Sequence, residues 1–316
     1  MRRRISTHLI GSLQRSETES IAEGFRRIKE AGFDSIDFNF EMFSEYDSLT
    51  SIDGRCFYDK MTFELDDYFA KYKSEAYLQG LTVLQSHAPF LDYLSYIKDE
   101  AAYEHFVKVT NKVIESCKVL GCAYIVVHPL CSALRDGKSS EWELNKKYFS
   151  ALLETARKSG CRICIENIFT RENGAIRPGF SSDVDTCNSF IDEMNAAAGE
   201  DIFGLCFDFG HASLLHKDIE EFIVKADKRL KVVHLHDNDG TEDMHGIPYT
   251  YLKHWGGSPI NDWNSLIKGL KKIQYEGGIN FETGPALCSV PDPIADSLRR
   301  HVAEVGKYIC KELDKE

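Results

Sequence analysis

The sequence predicts a single (β/α)8 TIM-type barrel, an α/β fold in which residues 1–316 form one domain, and three observations carry that expectation. Short apolar, β-branched runs alternate with helical segments along the chain, which implies a parallel sheet covered by helices. Eight such pairs fit into 316 residues, which favours closure into a barrel over an open sheet. An open dinucleotide-binding sheet would need a Gly-rich loop after the first run, and Gly11-Ser-Leu-Gln-Arg15 does not supply one.

The elements follow in order. The first strand is expected over 5–10, and the helix after it over 21–31, where Ile21, Phe25 and Ile28 share a face and Gly32 can cap the end. Strands at 35–38, 82–86, 124–128 and 162–167 precede helices at about 67–79, 98–119, 142–158 and 183–197. Strands at 203–208, 232–236 and 279–282 precede helices at 218–226, 262–273 and 293–312. No low-complexity stretch or Pro/Ser-rich linker interrupts the alternation.

Composition excludes some partners. Thirty-eight Lys and Arg stand against 50 Asp and Glu, a net charge of −12. A surface that grips a polyanion must displace counterions with basic side chains, so nucleic acid and anionic membrane are not expected partners. No apolar run approaches membrane-spanning length. Ile5-Ser-Thr-His-Leu-Ile10 is too short and polar for the core of a signal peptide. Ten cysteines without framework spacing suit a reducing compartment, so a cytoplasmic location is expected. Cys161 and Cys164 lie within a candidate strand and read as buried thiols rather than a redox pair.

In a barrel of this kind the site is built at the C-terminal ends of the strands. Nearly every candidate strand here ends in a metal-capable residue. The third ends at Ser86-His87, the fourth at Val127-His128 and the fifth at Ile165-Glu166. The sixth ends at Phe207-Asp208 with His211 just beyond, the seventh at His234-Leu-His236, and the eighth at Phe281-Glu282. Any one of these alone reads better as a hydrogen-bonded structural histidine or a helix N-cap. Their coincidence at one rim is what points to a site, because convergent carboxylates repel one another unless a cation joins them. Two Glu, one Asp and one His without thiolate suit Mn2+, Mg2+, Co2+ or Zn2+, and the residue types do not choose among these. After the seventh strand, Asp237 and Asp239 read as a solvated acidic turn. Asp243 and His245, one residue apart, can converge on a second ion or on substrate hydroxyls.

Together these strand ends resemble the xylose isomerase-like TIM-barrel superfamily, which joins sugar phosphate isomerases and epimerases with endonuclease IV-type AP endonucleases. The most specific parts are Ile165-Glu-Asn167, Asp208-x-x-His211, His234-x-x-Asp237 with Asp243-x-His245, and Phe281-Glu-Thr283. The resemblance implies one divalent ion on Glu166, Asp208, His234 and Glu282, with Mn2+ expected first and Mg2+, Co2+ or Zn2+ as alternatives. It also implies a cytoplasmic enzyme of carbohydrate metabolism, and relatives of this kind are often dimers or tetramers. The nuclease branch holds three zinc ions, and His87, His128, Glu166, Asp208, His211, His234, Asp243, His245 and Glu282 match its ligands by motif. Similarity to ketohexose 3-epimerases extends to Glu172, six residues after Glu166, but this chain has Gly240 where those enzymes carry an Arg.

The expected activity is isomerisation or epimerisation of a small keto-sugar or related polyol-carbonyl compound. A proton leaves carbon beside a carbonyl, the metal-stabilised enediolate persists, and the proton returns. Glu166 and Glu282 are the expected catalytic bases. His87, His128, Glu172, His211, His236, Asp243 and His245 are candidates for substrate or a second ion. The alternatives are a zinc-dependent AP endonuclease, a lyase or deglycosylase acting on 3-keto-glycosides, and a metal-stabilised barrel that only binds. Phe90, Tyr93, Phe169, Tyr249, Tyr251 and Trp255 are candidate walls over a sugar, although each alone reads as loop packing.

Overall fold

The computed structural model describes residues 3–13, 19–91, 99–131, 137–251 and 260–315. Eight parallel strands close into a barrel: β1 (Ile5–His8), β2 (Ser35–Asn39), β3 (Thr82–His87), β4 (Tyr124–Val127), β5 (Arg162–Glu166), β8 (Phe203–Asp208), β9 (Leu230–Leu235) and β10 (Ile279–Phe281). The first and last strands pair, Ile5 with Ile279 and Thr7 with Phe281. Outside the barrel, β6 (Phe169–Glu172) and β7 (Ala175–Pro178) form an antiparallel hairpin.

The helices fall between the strands as the alternation requires. They are α1 (Ile21–Ala31), α2 (Thr62–Leu78), α3 (Glu100–Leu120), α4 (Gly137–Ser159), α5 (Val184–Ala198), α6 (Phe209–Leu214), α7 (Ile219–Ala226), α8 (Trp263–Lys272), α9 (Gly284–Cys288) and α10 (Asp292–Leu313). Among the described residues no helix is long and apolar enough to cross a membrane.

Two compact units make up the chain, one from Met1–Phe38, Ser74–Leu84 and Cys206–Glu316, the other from Asn39–Lys73 and Gln85–Leu205. In the first, α1 begins at a capping box: Ser20 accepts from the Glu23 amide, and the Glu23 carboxylate accepts from the Ser20 amide. The helix ends at Gly32, whose φ of 112° is left-handed. Its inner face buries Phe25 and Ile28 fully, and each is worth about 1.5–3 kcal/mol relative to exposure. α7 and α8 start on Asp218 and Asp262 side chains that accept from the amides three residues on.

In the second unit, α3 and α5 are capped in the same way by Asp99 and Asp183 and stop at left-handed Gly121 and Gly199. The stretch after β2, where the sequence offered no regular period, forms short 3-10 turns at Phe40–Phe43, Tyr46–Thr50 and Phe57–Asp59. His105 of α3 straps them down: its Nδ1–H donates to the Leu49 carbonyl at 2.9 Å, and Nε2 lies 3.1 Å from the Asp59 carboxylate. Cys161 and Cys164 are buried and form no disulfide, as expected of packed thiols.

Candidate metal and active site

In the first unit the candidate side chains come from the ends of β8, β9 and β10 and from the loop after β9. Side chains in a strand alternate, so His234 and His236, two residues apart, project to the same side. The Asp208 carboxylate accepts from the His211 amide at 2.6 Å and so starts α6, which sets His211 beside it. Beyond His236 the chain turns back on itself. Asp237 and Gly246 exchange two backbone hydrogen bonds, 3.1 and 2.7 Å, and this bridge returns Asp243 and His245 toward the strand ends.

His245 holds a left-handed backbone, φ 45°, which is uncommon for a residue with a side chain. Its Nδ1–H donates to the Glu282 carbonyl at 3.0 Å, leaving Nε2 3.1 Å from Asp243 Oδ2. His211 Nε2 approaches the same oxygen to 3.4 Å. His236 Nε2 lies 3.2 Å from Asp208 Oδ2 and 3.8 Å from Asp243 Oδ1, and its ring stacks on His245 with centroids 4.1 Å apart. The ligand atoms of His211, His236, Asp243 and His245 all lie within 4.8 Å of one another. Burial works against ionisation of Asp243, but the His245 and His211 imidazoles outweigh it and hold its carboxyl well below the usual carboxylate range.

Deeper in the same unit, His234 Nδ1 stands 3.0 Å from Glu282 Oε1, and His8 Nε2 is 3.7 Å from that oxygen. Asp37, in β2, lies 3.5 Å from the other nitrogen of His234.

In the second unit, Glu166 ends β5 with 1% of its surface exposed. Its Oε2 is 3.0 Å from His128 Nε2 and 3.3 Å from His87 Nε2. His87 donates from Nδ1 to the Ala88 carbonyl at 2.8 Å. Phe90 stacks on His128 at 4.3 Å, so this aromatic does wall the cluster.

The donor set of these clusters fits a divalent cation. The Nδ1 atoms of His87, His236 and His245 point at main-chain carbonyls at 2.8, 3.4 and 3.0 Å, which turns each Nε2 toward a carboxylate. His236 Nε2 and Asp243 Oδ1 are buried without a hydrogen-bond partner among the described residues. Within each cluster nitrogen lone pairs and carboxylate oxygens lie close together with no thiolate among them, which is what Mn2+, Co2+ or Zn2+ prefers.

Other sequence readings divide. Asp237 is a buried anchor, not part of a solvated turn: it accepts from Trp263 Nε1 and from the Thr250 and Tyr251 amides, and burial raises its pKa. Asp239 does cap an exposed turn, accepting from Thr241 and Glu242. Tyr249 stacks on Trp263, and Phe169 is fully buried, so both serve packing. Tyr251 Oη donates to Met244 Sδ. Glu172 ends β6, but its side chain, like Tyr93 and Trp255, lies outside the described residues. The sequence reading passed over Asp37 and His8. The available signal was a charged or imidazole side chain within a candidate strand, as in Ser35-Ile-Asp-Phe-Asn39.

A closed parallel barrel with imidazoles and carboxylates at its strand ends defines a TIM-barrel protein with a candidate site at that rim, and the sequence profile of one such barrel family matches residues 25–302. The chain belongs to the xylose isomerase-like TIM barrel family. Among curated relatives, an inosose isomerase of Bacillus velezensis is 24% identical over 222 residues, covering 68% of this chain and 74% of that one. Among solved structures, the 3-keto-D-glucoside 4-epimerase YcjR from E. coli superposes with a TM-score of 0.69 at 16% identity, over 97% of this chain and 99% of that one. An L-ribulose 3-epimerase gives 0.68 at 17% identity, over 98% and 95%.

Proposed function

We propose that the chain is a divalent-metal-dependent isomerase or epimerase of a small keto-sugar or related polyol-carbonyl compound. The observation that carries this reading is the His234 Nδ1–Glu282 Oε1 approach of 3.0 Å, beside Asp208 on the neighbouring strand, in a chain of the xylose isomerase-like family. Curated relatives named inosose isomerase and structural neighbours named as sugar epimerases support the substrate class.

In this reading Asp208, His234 and Glu282, together with Glu166 at the end of β5, hold one ion, Mn2+ in the first place. When bound, the ion supplies electrostatic stabilisation of negative charge developing on the substrate oxygens. Glu166 and Glu282 take the proton from carbon and return it, each keeping one carboxylate oxygen for that work. His211, His236, Asp243 and His245 orient substrate hydroxyls or hold a second ion, and His87 and His128 fix the Glu166 carboxylate. The whole chain, 1–316, acts as one catalytic domain.

A second reading, a zinc-dependent endonuclease acting on abasic DNA, draws on one observation: the separate clusters His211–His236–Asp243–His245 and His87–His128–Glu166 each bring their ligand atoms within 4.8 Å. The net charge of −12 sets it second, because phosphate contacts dominate DNA affinity. One experiment separates the two. The metal-free protein is reloaded with Mn2+, Co2+ or Zn2+, assayed for deuterium uptake from D2O into a panel of ketoses and inososes, and assayed for nicking of abasic DNA. Solvent deuterium in a recovered sugar supports the isomerase reading; zinc-dependent nicking without exchange overturns it.

A further inference from the structure

His234 is turned differently from His236 and His245. His236 and His245 point Nδ1 at main-chain carbonyls, whereas His234 points Nδ1 at the Glu282 carboxylate and Nε2 at Oδ2 of Asp37, 3.5 Å away. Asp37 and His234 are each 0% exposed. Asn280 donates from Nδ2 to that same Asp37 oxygen at 2.8 Å.

Strand register assembles this group. Asn280 is the register partner of His234 across β9 and β10 and of Ser6 across β10 and β1, while His8 of β1 is the partner of Asp37 in β2. An ionised carboxylate away from water needs hydrogen-bond donors. A neutral imidazole has a single N–H, so a proton spent on Asp37 from Nε2 leaves the lone pair on Nδ1.

We propose that Asp37 is a positioning residue that fixes the His234 imidazole as its Nε2–H tautomer and turns the Nδ1 lone pair toward Glu282. This rests on the reading above that His234 and Glu282 share an ion, for which Nδ1 is then the ligand atom. A carboxylate behind a ligating histidine locks ring and tautomer and raises the basicity of the ligand nitrogen.

Two measurements on the full chain test it. In the metal-free protein at pH about 8.5, above the ordinary histidine range, long-range 1H–15N correlation spectra give the tautomer of His234, assigned by its loss in His234→Asn. The expected pattern is Nε2–H; an Nδ1–H tautomer overturns the proposal and needs no Asp37 variant to fold. Equilibrium dialysis with Mn2+ then compares the wild type with Asp37→Asn and Asp37→Ala. Affinity is expected to fall on the order of 10–100-fold in both, with an unchanged far-UV circular dichroism spectrum. Unchanged affinity in a folded Asp37→Ala overturns the positioning role. A wild type that binds no Mn2+ but shows the Nε2–H tautomer supports the Asp37 contact while overturning the shared ion.

Discussion

The imidazole of His236 occupies the space that a side chain on Gly210 would need. A Cβ placed on Gly210 would stand 2.0 Å from Cε1 and 2.4 Å from both ring nitrogens of His236. The carbonyl of Gly210 accepts from Asn238 Nδ2 at 2.7 Å, which ties the start of α6 to the loop after His236. Gly210→Ala is therefore expected to swing His236 away from Asp208 and to cost about 1–3 kcal/mol through overpacking. Urea denaturation checks the cost, and a variant of wild-type stability would show that the ring moves freely.

The proposed chemistry makes a sharper demand on the two glutamates. Glu166→Gln and Glu282→Gln keep size and one oxygen ligand but remove the base, so sugar proton exchange is expected to fall about a hundred- to ten-thousand-fold. Metal content, read by elemental analysis on the same samples, is expected to persist. Both variants retaining wild-type exchange with full metal would move the base elsewhere, with Glu172 and His245 next to be examined.

His211 is expected to behave otherwise. It approaches Asp243 and Asp208 rather than Glu282. If it orients a substrate oxygen, His211→Ala raises KM while deuterium exchange stays measurable at high sugar concentration. A loss confined to kcat would assign it to the proton transfer itself.

Nucleic acid binding offers a clean negative. With a net charge of −12, submicromolar affinity for abasic duplex DNA is not expected at physiological salt. A fluorescence-anisotropy titration showing such affinity, falling steeply with salt, would reveal a basic surface and favour the nuclease reading.

Acid stability reports on the strap beside α3. Burial opposes ionisation of Asp59, but its bonds to His105 and Lys108 prevail and lower its pKa. A depressed carboxylate stabilises the fold fully above its unfolded pKa of about 3.9 and loses that contribution as pH falls through its folded value. Asp59→Asn is expected to cost about 1 kcal/mol or less at pH 7, since solvent screens the pair. The difference from wild type should vanish in strong acid; a gap that widens there would contradict the ion-pair account.

Much of the site was legible because its signals are local. The i, i+2 spacing of His234 and His236 and the strand-end positions of Glu166, Asp208 and Glu282 can be read from a few residues each. Asp243 and His245 were paired by spacing alone, and the Asp237–Gly246 bridge is the reason they converge. What Asp37 pairs with was not legible, because its partner Asn280 is 243 positions away and only strand register brings them together. Residues 40–59 escaped for another reason: short 3-10 turns leave no hydrophobic period to detect. α6 was hidden because it is six residues long and begins on a residue already read as a ligand.

The pairing of β1 with β10 has a consequence for the nascent chain. Residues 5–7 are made long before their partners at 279–281, with the other six strands of the barrel translated in between. At about 5–20 residues per second the wait is on the order of tens of seconds. During it β1 has only β2 as a neighbour and stands as the edge strand of an unclosed sheet. Until β10 arrives the open edge of β1 is a template for wrong pairing, and closure of the barrel is the step that removes it.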